Sequence, residues 1–164
     1  MNTAIRFRKL HADDTPFVIA LLNDPQCLQF IGDRGVYSEA DAKCYIRQNL
    51  QHFDEHGYGL WVVEAYLSDA VGLCGLLNRN VFKCPDLGFA FLPKGRGKGI
   101  ASAAVTEIIE KAKNEFGLTF LTALCDPGNT RSIALLKNHG FVMYGQYFFP
   151  NSRKASNLLW LNLS

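Results

Sequence analysis

The sequence has no two cysteines at CxxC spacing. Its five cysteines, Cys27, Cys44, Cys74, Cys84 and Cys125, are odd in number and scattered. That supports neither a zinc ribbon nor a thioredoxin-type redox pair. We expect reduced thiols in a cytoplasmic protein, because disulfides belong to oxidising compartments. No run approaches the ~18 uninterrupted apolar residues of a membrane span. The first ten residues alternate charge and apolar side chains without a signal-peptide core. No membrane partner is therefore expected. An excess of one charge is also missing: Lys and Arg total 17 against 15 Asp and Glu, a net of +2. A surface that coats DNA or RNA needs a basic excess to displace counterions, so nucleic acid is not an expected partner. Linkers, repeats and low-complexity segments are lacking too.

What is present is a chain of 164 residues, 48% hydrophobic and 20% charged. That composition fits a globular domain and excludes disordered, collagen-like and coiled-coil chains. The length predicts one domain over residues 1–164 with a core of its own.

Residues 5–8 alternate with period 2 and predict a strand. Asp13, Asp14 and Pro16 suit a first helical turn, with Phe17, Leu21 and Leu22 at helical spacing until Asp24-Pro25 interrupts. A short piece then runs to Ile31, followed by a loop with Gly32 and Gly35. Ser38-Glu39-Ala40-Asp41 is a capping-box start. Ala42, Tyr45, Ile46, Leu50 and Phe53 share one face of the helix that follows. Residues 60–66 and 71–77 read as a hairpin, and 87–92 as a further strand. Ala101, Val105, Ile108, Ile109, Ala112 and Phe116 make the clearest helical stripe, stopped by Gly117. Residues 118–125 form an almost continuous apolar run, as expected of a parallel strand buried on both faces. A turn, a short helix to about Asn138 and two strands, 141–148 and 155–163, complete the chain. The expected fold class is α/β (α+β). Its sheet is mixed, mostly antiparallel and twisted, with a central βαβ unit over 87–125 and helices on both faces. The βαβ crossover should be right-handed.

The chemistry-bearing segment is Lys94-Gly95-Arg96-Gly97-Lys98-Gly99-Ile100-Ala101, between a strand and a strong helix. A helix N-terminus carries unsatisfied N–H groups and about half a positive charge, which suits a phosphate. Glycines let the backbone approach a ligand and turn successive N–H groups inward, and three cations add to the field. A tight solvated turn is the plain alternative, but it needs neither three alternating glycines nor three cations. A Walker A loop requires Ser or Thr after its Lys, and here Lys98 is followed by Gly99. GxGxxG fails as well: counted from Gly95 its sixth position is Ile100, and from Gly97 it is Ser102. That opposes a dinucleotide or nucleotide reading.

The segment Arg96-Gly97-Lys98-Gly99-Ile100-Ala101 resembles the acyl-CoA pyrophosphate loop of the GNAT N-acetyltransferase superfamily. Asp126-Pro127-Gly128-Asn129, Ser132, Leu136-Lys137 and Gly140-Phe141 resemble a signature of its RimJ/RimL-like branch. Residues 57–61 and 71–76 fit that branch also, so the resemblance spans nearly the whole chain.

The resemblance implies transfer of the acetyl group of acetyl-CoA to a primary amine (a protein N-terminus, an amino acid or a small amine) by direct attack in a ternary complex. Positioning, proton removal and oxyanion stabilisation are then the protein's tasks. By position, backbone groups of Phe91, Leu92 and Pro93 would bind the acetyl–pantetheine arm. They lie on a strand that splays from the 118–125 strand, and an N–H near Phe91 would face the thioester oxygen. Amides of Arg96, Gly97, Lys98, Gly99, Ile100 and Ala101 would hold the pyrophosphate. Asn129 would bond the pantetheine arm, with a helix cap as its plain alternative. Ser132 would lie near the thiol as proton donor to the departing thiolate, again with a helix cap as alternative.

Family bases do not carry over. Leu136 stands where many members have a tyrosine acid, and Ala103 and Leu124 stand where relatives have glutamates. Asp86 or Glu64 could serve directly or through water, though lone acids are mostly solvent-facing. His52 and His56, four apart at a helix end, could face one metal, but no third ligand or HExxH accompanies them. No metal is expected, and favourable charge at a helix C-terminus explains them better. Trp160 and the stretch 147–149 should be core or acceptor wall. The acceptor wall is expected from residues 32–37, the start of the Ser38 helix and residues 147–154, with Asp33, Arg34, Tyr37, Asn151 and Arg153. That mixture selects neither a basic peptide nor a polyamine. The alternative to an enzyme is an acyl-CoA sensor or partner protein with catalysis weakened or lost. A monomer and a homodimer are both compatible with the sequence.

Overall fold

Arg6–Arg8 (β1) lies antiparallel to Leu60–Ala65 (β2), with Phe7 opposite Val63. In the computed structural model, which describes residues 4–80 and 82–164, β2 continues into an antiparallel meander with β3 (Asp69–Leu77) and β4 (Asp86–Phe91). β5 (Phe120–Cys125) follows, then β7 (Ala155–Asn162) and, outermost, β6 (Val142–Phe148), giving the order β1-β2-β3-β4-β5-β7-β6. The sheet is mixed and mostly antiparallel, as expected.

The parallel pair differs from the expectation. β5 meets β4 at one bridge, Asp86 with Thr122, and makes its long ladder antiparallel with β7. Leu121 and Ala123 are buried in the core with α4 and α5, and Thr122 is buried against Asp86, without an extended parallel ladder. Beyond the bridge β4 and β5 part, as the resemblance implied.

Helices start where the local chemistry allows. α1 (Thr15–Leu22) is entered through a 3-10 turn, Ala12–Asp14, whose Asp14 carboxylate accepts the His11 N–H at 2.9 Å. Asp24-Pro25 opens a separate helix, α2 (Pro25–Phe30), where the sequence reading saw an interruption. Asp24 Oδ2 accepts Gln26 N at 3.1 Å and Cys27 N at 3.4 Å, and proline suits the first helical position. α3 (Glu39–His56) has the expected reciprocal cap, Ser38 Oγ from Asp41 N at 3.1 Å and Asp41 Oδ2 from Ser38 N at 3.0 Å. α4 (Ile100–Asn114) and α5 (Thr130–Asn138) complete the set.

Neighbouring β2 residues point into different layers, as period 2 dictates. Val62 and Leu73 join α1 and α3, through Val18, Leu21 and Ile46. Val63 and Cys74 join α4 and α5, through Val105, Ile108 and Leu136. An extra residue at Val71 breaks the β2–β3 register: Val63 pairs with Gly72 and Glu64 with Ala70. The Val71 carbonyl accepts Leu92 N at 2.9 Å just past the end of β4.

Trp160 is neither core nor acceptor wall. It is 40% exposed on the outer face of β7, against Tyr144 and Phe120. Alternation shows that a strand has two faces but not which one a helix covers.

Candidate active site

Because β5 leaves β4 after Asp86, Leu87–Phe91 have no strand partner on that side. Antiparallel ladders alternate, and Leu92 N bonds β3. The N–H groups of Phe89 and Phe91 therefore point away from β3, into the gap. An unpaired backbone donor away from water is costly, so the gap is a place prepared for an acceptor atom.

A cleft of about 490 Å³ lies over this edge. It is walled by Cys27 and Phe30 of α2, by Phe89 and Phe91 of β4, and by Asn129 and Ser132 at the head of α5. Its far end is the glycine turn with Arg96, Gly97, Gly99 and Ala101. Gly97 and Gly99 have φ of 72° and 77°, the left-handed region that favours glycine. Gly99 is the N-cap of α4 and supplies no side-chain bond. The first amides of α4 thus remain open to an anion.

The cations of this turn are not at the disposal of a ligand in the way the sequence suggested. Arg96 is ion-paired with Asp24, the cap of α2. Lys94 Nζ lies 3.4 Å from Asp69 Oδ1. Lys98 Nζ lies 5.0 Å from the centre of the Tyr66 ring. Each cation of the turn thus has a contact within the fold, while the first amides of α4 have none from a capping side chain.

Other expected positions divide. Ile100 is fully buried, so its amide and not its side chain can serve the site. Leu92 gives its N–H to Val71 and its carbonyl to Gly95 N, and the Pro93 carbonyl accepts Arg96 N, so both residues brace the turn. Phe91 lines the first cleft, with its N–H on the open side of β4. Asn129 is the N-cap of α5, its Oδ1 accepting Ser132 N at 3.2 Å. Its Nδ2 makes no hydrogen bond among the described residues. Ser132 is not a cap, since that place is Asn129's, and its hydroxyl is unengaged among the described residues.

Across β4 lies a second cleft of about 420 Å³. It shares Phe30, Ile31, Phe89 and Ala90 with the first, so the two meet where β4 and β5 part. Tyr45, Gln48, Asn49 and His52 come from the middle of α3, not its start. Of the expected acceptor residues Arg34 lines it, whereas Asp33, Tyr37, Asn151 and Arg153 do not; Phe149 represents the 147–154 segment.

Asp86 also lines this cleft and is 3% exposed. Thr122 Oγ1 donates to its Oδ1, and Arg79 Nε sits 3.0 Å from its Oδ2. Burial holds its carboxyl above the usual carboxylate range against the pull of Thr122 and Arg79. Glu64 lines neither cleft; it is tied to Arg8 Nε at 3.2 Å and to Arg6 at 3.5 Å. Burial, then Asp24, pushes the Cys27 thiol up, and burial with Asp126 pushes Cys125 up to about 11. Both thiols near the gap stay protonated and are poor nucleophiles.

His52 is not a charged helix-end residue. Its Nδ1 lies 2.7 Å from the Tyr58 carbonyl and must donate, while Nε2 accepts Asn78 N at 2.9 Å. Those bonds fit the neutral ring. No group of three or more metal-ligating side chains occurs among the described residues.

Sequence reasoning missed α2 as a wall of the first cleft and Arg79 in the second. The first had a local signal, Asp24-Pro25 as a helix start. The second had none, because Arg79 meets Asp86 only through the chain's turn after β3.

Known proteins agree with this architecture. The model of the acetyltransferase (GNAT) domain matches residues 4–142. The uncharacterized N-acetyltransferase YnaD of Bacillus subtilis (strain 168) is 26% identical over 153 residues, covering 93% of this chain and 86% of that protein. A GNAT-family acetyltransferase from Bacillus anthracis superposes with a TM-score of 0.82 at 21% identity, over 99% of this chain and 98% of that one. A spermidine N-acetyltransferase from Vibrio cholerae, solved with CoA and spermine, gives 0.79 at 17% identity, over 97% and 95%. The open edge of β4, the amide cradle at the head of α4 and the family match over most of the chain lead to one assignment: the chain belongs to the GNAT family and is an acetyl-CoA-dependent N-acetyltransferase.

Proposed function

We propose that the first cleft takes acetyl-CoA, the second takes a primary amine, and the amine attacks the thioester directly where the clefts meet. The observation that carries this reading is the meeting itself: Phe30, Ile31, Phe89 and Ala90 line both clefts at the point where β4 has no partner. The chain fits the donor. Open amides at the head of α4, the left-handed Gly97 and Gly99 and the free Nδ2 of Asn129 suit pyrophosphate at one end and amide groups between. Acetyl-CoA supplies the acyl group.

The residues divide the work. Amides from Arg96 to Ala101 hold the diphosphate. Asn129 orients the arm. The Phe91 N–H faces the carbonyl oxygen as negative charge grows there, a role worth about 3 kcal/mol where such donors have been removed. Ser132 donates its hydroxyl proton to the departing sulfur and takes back the proton that the attached nitrogen loses as the amide forms. Asp86 receives the proton of the ammonium through water. It lies three residues before Phe89, roughly 10 Å along the strand, too far for direct contact at the gap. The protonated thiols of Cys27 and Cys125 argue against a covalent acyl-cysteine and for attack in one complex.

A thermal-shift series with acetyl-CoA, NAD and ATP tests the cleft assignment. A ligand at about 100 times its Kd adds about 2.7 kcal/mol, and we expect that rise with acetyl-CoA alone. CoA release against N-terminal peptides, polyamines, amino acids and aminoglycosides then tests transfer. Binding without turnover of any acceptor would favour a sensor.

A further inference from the structure

The second cleft holds charge that the transfer step leaves unused. Arg34, from the loop after α2, and Arg79, from the turn after β3, both line it. Arg34 makes no hydrogen bond or ion pair among the described residues. Arg79 has Asp86, yet Asp86 Oδ2 has no hydrogen-bond partner despite its burial, so the contact is an ion pair without a directed bond. Burial works against the charge of Arg79; Asp86 supports it, and the neighbouring Arg34 opposes it more weakly than Asp86 supports it. Arg34 is exposed at the mouth of the cleft and the Arg79 side chain is half-buried beside Asp86, so the cleft presents two guanidiniums against one carboxylate.

The remaining groups do not neutralise them. Asp126 is held by Lys154 and by Gly128 N at 2.7 Å. His52 is neutral through its two backbone bonds. Burial raises the Tyr45 phenol, which stays a neutral donor. One positive charge is left over. The lining also offers apolar surface from Leu22, Leu73, Leu77, Phe89, Leu124 and Phe149. A volume of about 420 Å³ suits a small molecule.

We propose that the acceptor is a small primary amine that also carries a carboxylate, an apolar amino acid being the simplest case. Arg34 and Arg79 take the carboxylate, which a planar guanidinium matches with paired N–H donors. The apolar surface takes the side chain, and the amino group, on the carbon that bears the carboxylate, turns to the Phe89–Ala90 floor. A polyamine would place cations against two arginines. This rests on the reading of the second cleft as the acceptor side.

The test is calorimetric titration of the full chain, with and without CoA, using L-amino acids, their carboxamides, the corresponding decarboxylated amines and spermidine. CoA release from acetyl-CoA is followed in parallel. At least one apolar amino acid should bind at least tenfold more tightly than its carboxamide and its decarboxylated amine. Arg34→Gln should bring the acid down to the level of the carboxamide, Arg34→Lys should restore part of the difference, and both should keep the affinity for acetyl-CoA. The proposal is overturned if no amino acid binds, if spermidine or a decarboxylated amine binds as tightly, or if Arg34→Gln leaves the acid-to-amide ratio unchanged. Loss of acetyl-CoA binding by the unmodified chain would instead overturn the reading of the first cleft. Acid binding is scored separately from it, because it needs no transfer.

Discussion

Arg96 and Asp24 join the glycine turn to the cap of α2, which walls the same cleft, and the consequences of cutting that tie can be worked out. The Arg96 side chain is 22% accessible and that of Asp24 7%. In Arg96→Ala the Asp24 carboxylate keeps two backbone donors, Gln26 N and Cys27 N, at the positive end of a helix. Breaking a fully buried pair costs about 3–5 kcal/mol. The two remaining donors and the partial exposure of the guanidinium reduce the expected loss to about 1–2 kcal/mol. At roughly 2–4 °C per kcal/mol for a chain of this size, Tm should fall by about 2–8 °C.

Affinity for CoA distinguishes two roles. If the guanidinium acts directly on a phosphate, Arg96→Ala weakens binding. Asp24→Asn, which keeps a capping oxygen but releases Arg96, then strengthens it. If the pair is a strut that fixes the turn, both variants weaken binding and the double variant adds little, as coupled neighbours do. We expect the strut: a loss of about 3- to 10-fold in each single variant, with the double variant within about twofold of either. Isothermal titration with CoA on the four proteins decides it. Tighter binding by Asp24→Asn, or additive losses, would refute the reasoning.

Gly97→Ala has open space for its methyl but must hold φ of 72°. It should cost about 1–2 kcal/mol and reduce CoA affinity, so unchanged affinity would show that the turn is not the cradle. Gly95→Ala would instead place a methyl 3.0 Å from Val71 Cβ and 3.1 Å from its carbonyl oxygen, costing about 1–3 kcal/mol by thermal melt. Asp14 is held below its ordinary range. Burial opposes this, but hydrogen bonds and charge from Arg8, at 2.8 Å, and the His11 N–H prevail. Its contribution is therefore present above the unfolded carboxyl pKa of about 3.9 and lost as pH falls through the lower folded value. Asp14→Asn should cost about 2 kcal/mol at pH 7, with the gap in Tm closing in acid; a gap constant with pH would sink that account. For Asp86, whose pKa burial raises, the rate should climb with pH through a limb above the usual carboxylate range. Asp86→Asn should remove that limb and lower kcat by about a hundredfold or more. A variant with the full rate and the same limb would move the base elsewhere.

The glycine turn was legible because everything that shapes it is consecutive: residues 94–101 carry the glycines, the helix start and the cations. The capping box of α3 was legible for the same reason. What those residues touch was not. The partner of Arg96 is 72 positions away in sequence, and the ring under Lys98 belongs to a hairpin turn with positive φ at Tyr66, Leu67 and Ser68. Three cations in a row promise an electropositive spot, and only the folded chain shows each of them with a partner. In the sequence Arg34 belongs to a mixed wall. Its meaning emerged when the acids expected to balance it, such as Asp33, fell outside the cleft and Arg79 fell inside it.

The chemistry follows from one irregularity in the sheet. Had β5 continued alongside β4, the N–H groups of Phe89 and Phe91 would have been paired and the two clefts walled off from each other. The single bridge at Asp86–Thr122 marks where pairing stops. From that point the backbone of β4 faces a gap open to both sides, with the cradle at the head of α4 on one side and the arginines on the other. Asp86 stands at the fork itself, fixed by Thr122 on β5 and by Arg79 from the turn after β3. A residue that closes the ladder and also lines the second cleft connects the fold to the proton transfer proposed for it. Changing its charge should therefore alter the pH profile, and although an asparagine retains the backbone bridge, it leaves Arg79 without its carboxylate, so the melting temperature should fall as well.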